Sequence, residues 1–140
     1  MRINSDDNQC FISIVPREIG LDGSIRFSVN ASCGGFSGES YEVWVELDIL
    51  DNFIKDLKKL DEERSGDATL QGMSPNEFTI QLYSADSLGH IGLTLSLVRP
   101  KFLSGRTIFQ KLEIGFEIDS SRMADIVKQS NELKSDIEAI

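Results

Sequence analysis

Strict alternation of apolar and polar residues, repeated in five separate segments, is the feature that most narrows what this chain folds into. Successive side chains on a strand point to opposite faces, so period-two alternation marks a β-strand with one buried face. In residues 24–33 the apolar positions are Ile25, Phe27, Val29, Ala31 and Cys33. In 41–47 they are Tyr41, Val43, Val45 and Leu47, and in 78–82 they are Phe78, Ile80 and Leu82. Residues 91–97 show Ile91, Leu93, Leu95 and Leu97. Residues 108–118 show Ile108, Leu112, Ile114, Phe116 and Ile118, interrupted by Gln110. Segments 10–15 and 68–71 are weaker strands of the same kind.

These strands read as antiparallel. Parallel strands covered on both faces appear as unbroken apolar runs. The links Ser74-Pro75-Asn76, Ser84 to Gly89 and Pro100 to Gly105 are turn-like and too short for a crossover. Gly34-Gly35 ends a long strand at a bulge or a sharp corner. Two segments switch to helical period. Asp48 is the expected N-cap of the first, with Asp51 three residues on, and Phe53, Ile54, Leu57 and Leu60 form one apolar stripe that Gly66 would end. Asp119 or Ser120 caps the second, which carries Met123, Ile126, Val127, Leu133 and Ile137. The expected fold class is α+β: an antiparallel sheet of about seven strands, curved or in two layers, with two amphipathic helices in the order β-β-β-α-β-β-β-β-α. At 140 residues the chain is one domain, 1–140, with 1–8 and 138–140 expected to lie loose.

Chemistry-bearing constellations do not emerge. The single histidine, His90, has no clustered ligands around it in sequence, and no Cys-x-x-Cys spacing occurs, so no metal site is expected. His90 reads as a turn or strand residue bonding to nearby backbone. No nucleophile elbow, phosphate loop or dinucleotide fingerprint is present. The expectation is a protein that is not an enzyme and carries no cofactor. If 10–15 and 24–33 form a hairpin, Cys10 lies near Val29 and not opposite Cys33, so both cysteines read as small buried hydrophobes. That fits a reducing cytoplasm, as does the polar stretch Met1 to Asn8, which lacks a signal pattern.

Charge is uneven. The net charge is −9, and residues 39–86 hold twelve acidic and four basic residues, a net of −8. Such a surface repels nucleic acid and anionic membranes and attracts basic partners. Within it, the strand 41–47 places Glu42, Trp44 and Glu46 on the face opposite Val43 and Val45. Tryptophan is favoured at binding hot spots, so this trio is the candidate contact surface for a basic protein partner. The loop Val98 to Arg106, with Arg99, Lys101, Arg106 and Phe102, is the one basic patch.

The stretch Gly34-Gly35-Phe36-Ser37-Gly38 resembles the WapI-like immunity proteins and related small bacterial domains of unknown function. Similar short elements follow in order: Gly66-Asp67-Ala68-Thr69-Leu70, then Leu88 to Ile91, then Phe116-Glu117-Ile118-Asp119 leading into the last helix. The resemblance runs over residues 10–135. It implies an immunity role: stoichiometric blocking of a toxin domain delivered between neighbouring cells, often a nuclease with a basic cleft. The alternatives are a small-ligand-binding domain with an enclosed cavity near His90, and a structural subunit that dimerises through a strand edge or helix face.

Overall fold

The computed structural model describes all of residues 1–140. Eight strands form two antiparallel four-stranded sheets. The first holds β1 (Arg2–Asn4), β2 (Cys10–Ile19), β3 (Ile25–Cys33) and β4 (Phe36–Val45), paired in that order. Helix α1 (Leu47–Glu63) leads to the second sheet, β5 (Asp67–Gln71), β6 (Phe78–Ser84), β7 (His90–Leu103) and β8 (Arg106–Asp119), again paired in chain order. Helix α2 (Met123–Glu138) closes the chain. The fold class is α+β as the sequence indicates, with two layers and one strand more than the alternation reveals.

The alternating apolar rows converge on a single core of 28 buried residues. Ile12, Ile14, Phe27, Val29 and Val45 come from the first sheet, and Leu70, Phe78, Ile80, Leu82 and Leu93 from the second. Leu50, Phe53, Leu57 and Leu60 of α1 and Met123, Ile126, Leu133 and Ile137 of α2 complete it. Strands β3 and β4 approach β7 and β8 directly, while α1 packs on β5 and α2 packs on α1 and β2. The helices therefore complete the core together, α1 against the second sheet and α2 against α1 and the first. Lys134 bonds Asp51 at 2.7 Å and ties the helices together. Neither helix is long and apolar enough to cross a membrane.

Several details differ from the sequence reading. Residues 1–8 do not lie loose: β1 pairs with β2, and Ile3 is buried. Gly34-Gly35 is a two-residue hairpin turn with φ of 57° and 90°. Both values lie where glycine has no steric cost, as a type I′ turn requires. Tyr41 was expected in the buried row, but it is 53% exposed. The cause is a bulge: Val29 faces Ser40 while Phe27 faces Val43, so two residues of β3 span three of β4. The extra residue shifts the phase, and only Val43 and Val45 keep the expected side. Leu47 is not a strand residue, because α1 starts there with Glu46 as its N-cap. Asp48 sits in the first turn instead, where its charge suits the helix dipole. The helix ends at Arg64, whose φ is 57°, ahead of Gly66.

The cysteines require a correction. Strand β2 continues past Val15 to Ile19, through a bulge between Pro16 and Glu18. The bulge tolerates a proline that a regular strand would not. The turn is therefore short, and the register places Cys10 directly opposite Cys33, with Cα atoms 4.1 Å apart and the sulfurs bonded. The expectation of two separate thiols, Cys10 beside Val29, does not hold. The bond closes a loop with a sequence separation of 23. On chain entropy alone, cutting it lowers stability by about 3 kcal/mol. Urea unfolding of oxidised and dithiothreitol-reduced protein measures this; superimposable curves would contradict it.

Candidate functional site

Of the trio Glu42, Trp44 and Glu46, Glu42 is one of the two residues at the β4 bulge, and Trp44 and Glu46 lie after it, where alternation is regular. Val43 and Val45 point into the core, so Glu42 and Trp44 point out. Glu46 keeps an extended backbone, φ −69° and ψ 142°, and continues the same outward row up to the first turn of α1. Both glutamates are exposed and Trp44 is half-buried. Its ring packs beside the β2–β3 turn: a side chain at Gly20 would come within 3.1 Å of Trp44 Cζ3. Its carbonyl accepts the Met73 N–H at 2.8 Å, which fixes the strand end. Trp44 is thus partly buried, with its backbone tied to Met73 and its ring beside Gly20. Cross-strand from it, Arg26 is bound to Glu18 at 3.0 Å and donates to the Tyr41 carbonyl at 2.8 Å. That arginine is already neutralised, so the strip beside it stays acidic.

On its other flank β4 borders a half-open groove of about 340 Å³, closed on the far side by β7 and β8. Glu39, Glu42 and Glu77 line it together with Arg99, and Phe78 and Leu97 form apolar parts of its wall. Arg99 donates to the Glu39 carbonyl at 3.1 Å across a gap of 60 residues in sequence. No local pattern reveals that contact. Gly38 lies against Leu112, and a Cβ there would sit 2.9 Å from Leu112 Cδ2. This close approach is what Gly38 permits. The groove is half-open and mixed in lining, unlike the enclosed cavity that a small-ligand site favours.

The basic segment 98–106 is not a loop. It belongs to a β7–β8 hairpin whose two-residue turn is Ser104-Gly105. Phe102 and Phe109 are exposed on it.

His90 has a partner that the sequence reading missed. The Asp86 carboxylate meets His90 Nδ1 at 2.8 Å and accepts the Leu88 N–H at 2.8 Å and the His90 N–H at 3.3 Å. The spacing of four, Asp86 to His90, is the signal that was available. The carboxylate organises the turn before β7, and the hydrogen bond and charge of Asp86 raise the imidazole above its ordinary 6.5. Nowhere do three His, Cys, Asp or Glu side chains converge as metal ligands would.

The family model described as the immunity protein WapI-like family matches residues 2–138, so the chain belongs to that family. Comparison with curated proteins and with solved structures yields no significant match.

Because the His90 value is raised in the fold, the Asp86–His90 pair stabilises at pH below the free imidazole value. That contribution is lost as pH rises through the folded one. An NMR titration of wild type should place His90 above 6.5, and Asp86→Asn should bring it back toward 6.5. Equal midpoints in the two proteins would show that Asp86 is not the cause.

Proposed function

We propose that this member of the WapI-like immunity family is a binding-only inhibitor: it neutralises a cognate toxin domain, a nuclease with a basic cleft, by covering its working surface. Membership of the family over residues 2–138 carries the reading. The chain's own surface supports it. The excess negative charge is concentrated in residues 39–86, and β4 and the start of α1 present Glu42, Trp44, Glu46 and Asp48 within that stretch.

The division of labour follows from the residue types. Carboxylates along an exposed strip speed the approach of a basic surface and align it, an effect that salt weakens. Trp44 supplies apolar area at small entropic cost, because its packing beside Gly20 already fixes the ring. No bond in the toxin is broken in this mechanism; the inhibitor acts by occupancy, one copy per toxin. The site of action we propose is the cytoplasm. A reducing compartment keeps Cys10 and Cys33 as thiols, so the fold there relies on its core rather than on the bond.

Co-expression with a candidate cognate toxin domain tests the reading. Wild-type protein should restore growth; continued killing despite soluble protein would sink the pairing. Trp44→Ala should weaken binding by about thirtyfold or more, mainly by faster dissociation. Glu42→Lys with Glu46→Lys should slow association and flatten its salt dependence. Kinetic binding assays on the variants, with circular dichroism to confirm folding, read both effects. Wild-type rates in both variants would place the contact surface elsewhere.

A further inference from the structure

Strand β8 is an edge strand of unusual length and regularity. It runs 14 residues and pairs with β7 without a single bulge, from His90↔Asp119 to Leu103↔Arg106. It contains no proline. Folded proteins usually interrupt or cover such edges, because their free N–H and C=O groups invite another strand.

The direction of those free groups can be read from the ladder. The Ser120 N–H bonds the Gly89 carbonyl at 2.8 Å, so even-numbered residues of β8 bond toward β7 and odd-numbered ones point outward. Asp119 fits this rule: its N–H points outward and is capped by the Asp6 carboxylate at 3.0 Å. Arg122 holds that carboxylate at 2.9 Å. From Thr107 to Glu117 the outward backbone groups have no hydrogen-bond partner in the chain. The edge is therefore closed at one end and open along the rest.

The geometry points to a second copy of this chain as the occupant: two β8 strands pair antiparallel about a two-fold axis at Leu112, joining two four-stranded sheets into one of eight. Only odd residues face outward, so paired residue numbers must sum to an even value, and the axis must pass through a residue. An axis at Lys111 or at Glu113 sets that residue against its own copy, which is repulsive. One at Ile114 requires the Asp119 backbone, which Asp6 already occupies. One at Gln110 shortens the overlap.

At Leu112 the features agree. Lys111 faces Glu113 of the second copy, twice by symmetry. The overlap covers 106–118 and stops one residue short of the capped Asp119. About twelve backbone hydrogen bonds form. Phe109, 62% exposed in the single chain, lies opposite Gly115, which leaves room for its ring. The sheet already uses this device internally: Tyr83 faces Gly92 across β6 and β7, and its ring covers the glycine. The basic first half of β8 and its acidic second half, with Arg106 and Lys111 before Glu113, Glu117 and Asp119, make the strand complementary to itself. This inference is independent of the toxin-binding reading.

Sedimentation of the purified chain tests it. Wild type should sediment at twice the chain mass of 15.6 kDa. Lys111→Glu and Glu113→Lys should each raise the dimer dissociation constant at least about tenfold, because each sets like charges opposite one another. The double variant K111E/E113K should dimerise like wild type. A wild-type monomer at high concentration would overturn the proposal, including the case in which the edge serves only a foreign strand. So would single reversals without effect, or a double variant that stays monomeric.

Discussion

Every part of this molecule depends on two sheets, each apolar on one face only, burying those faces in a common core. Neither sheet is stable alone with its apolar face in water, and the hydrophobic effect is large enough to force them together. Phe27 of the first sheet, Phe53 of α1 and Phe78 of the second sheet are all essentially inaccessible to solvent. One phenylalanine from each of these elements is thus buried in the common core. Helix α1 links the two sheets in sequence and packs on β5 and α2, so its stripe of Leu50, Phe53, Leu57 and Leu60 joins the common core from that side.

That arrangement decides which surfaces are free to bind. The outer face of β4 receives no covering layer, so Glu42, Trp44 and Glu46 stay accessible beside a helix start rich in carboxylates. The core also ends before β7 and β8 do. The row that carries Leu93, Leu95 and Leu97 inside the body carries Arg99 and Lys101 beyond it. The hairpin therefore extends past the packed layers, and its outer edge is left without a neighbour.

Much of this was legible in the sequence because the burial is one-sided. Five alternating segments map onto β3, β4, β6, β7 and β8, and both helical stripes face the core as their spacing indicates, with Ile54 and Val127 partly buried at its margin. The features that were not legible break the period or lack length. Strand β1 has three residues, too few for a pattern. The bulge in β2 disguises a strand that continues through Pro16, and this alone misplaced Cys10 relative to Cys33. The bulge in β4 moves Tyr41 out of the core, yet it lies upstream of Val43 and Val45, so the outward placement of Glu42 and Trp44 was still readable. The distal hairpin was taken for a loop because its strands leave the core and lose their apolar alternation. Contacts such as Arg99 to Glu39 join distant segments and leave no trace in local spacing.

The proposed inhibition requires that the acidic strip of β4 and the start of α1 meet the toxin. Amide hydrogen exchange on the chain, free and in complex with its cognate toxin domain, addresses this directly. The expected result is slowed exchange concentrated in the second half of β4 and the first turns of α1. A complex that forms while those amides exchange at their free rates, with protection on another face, would contradict it.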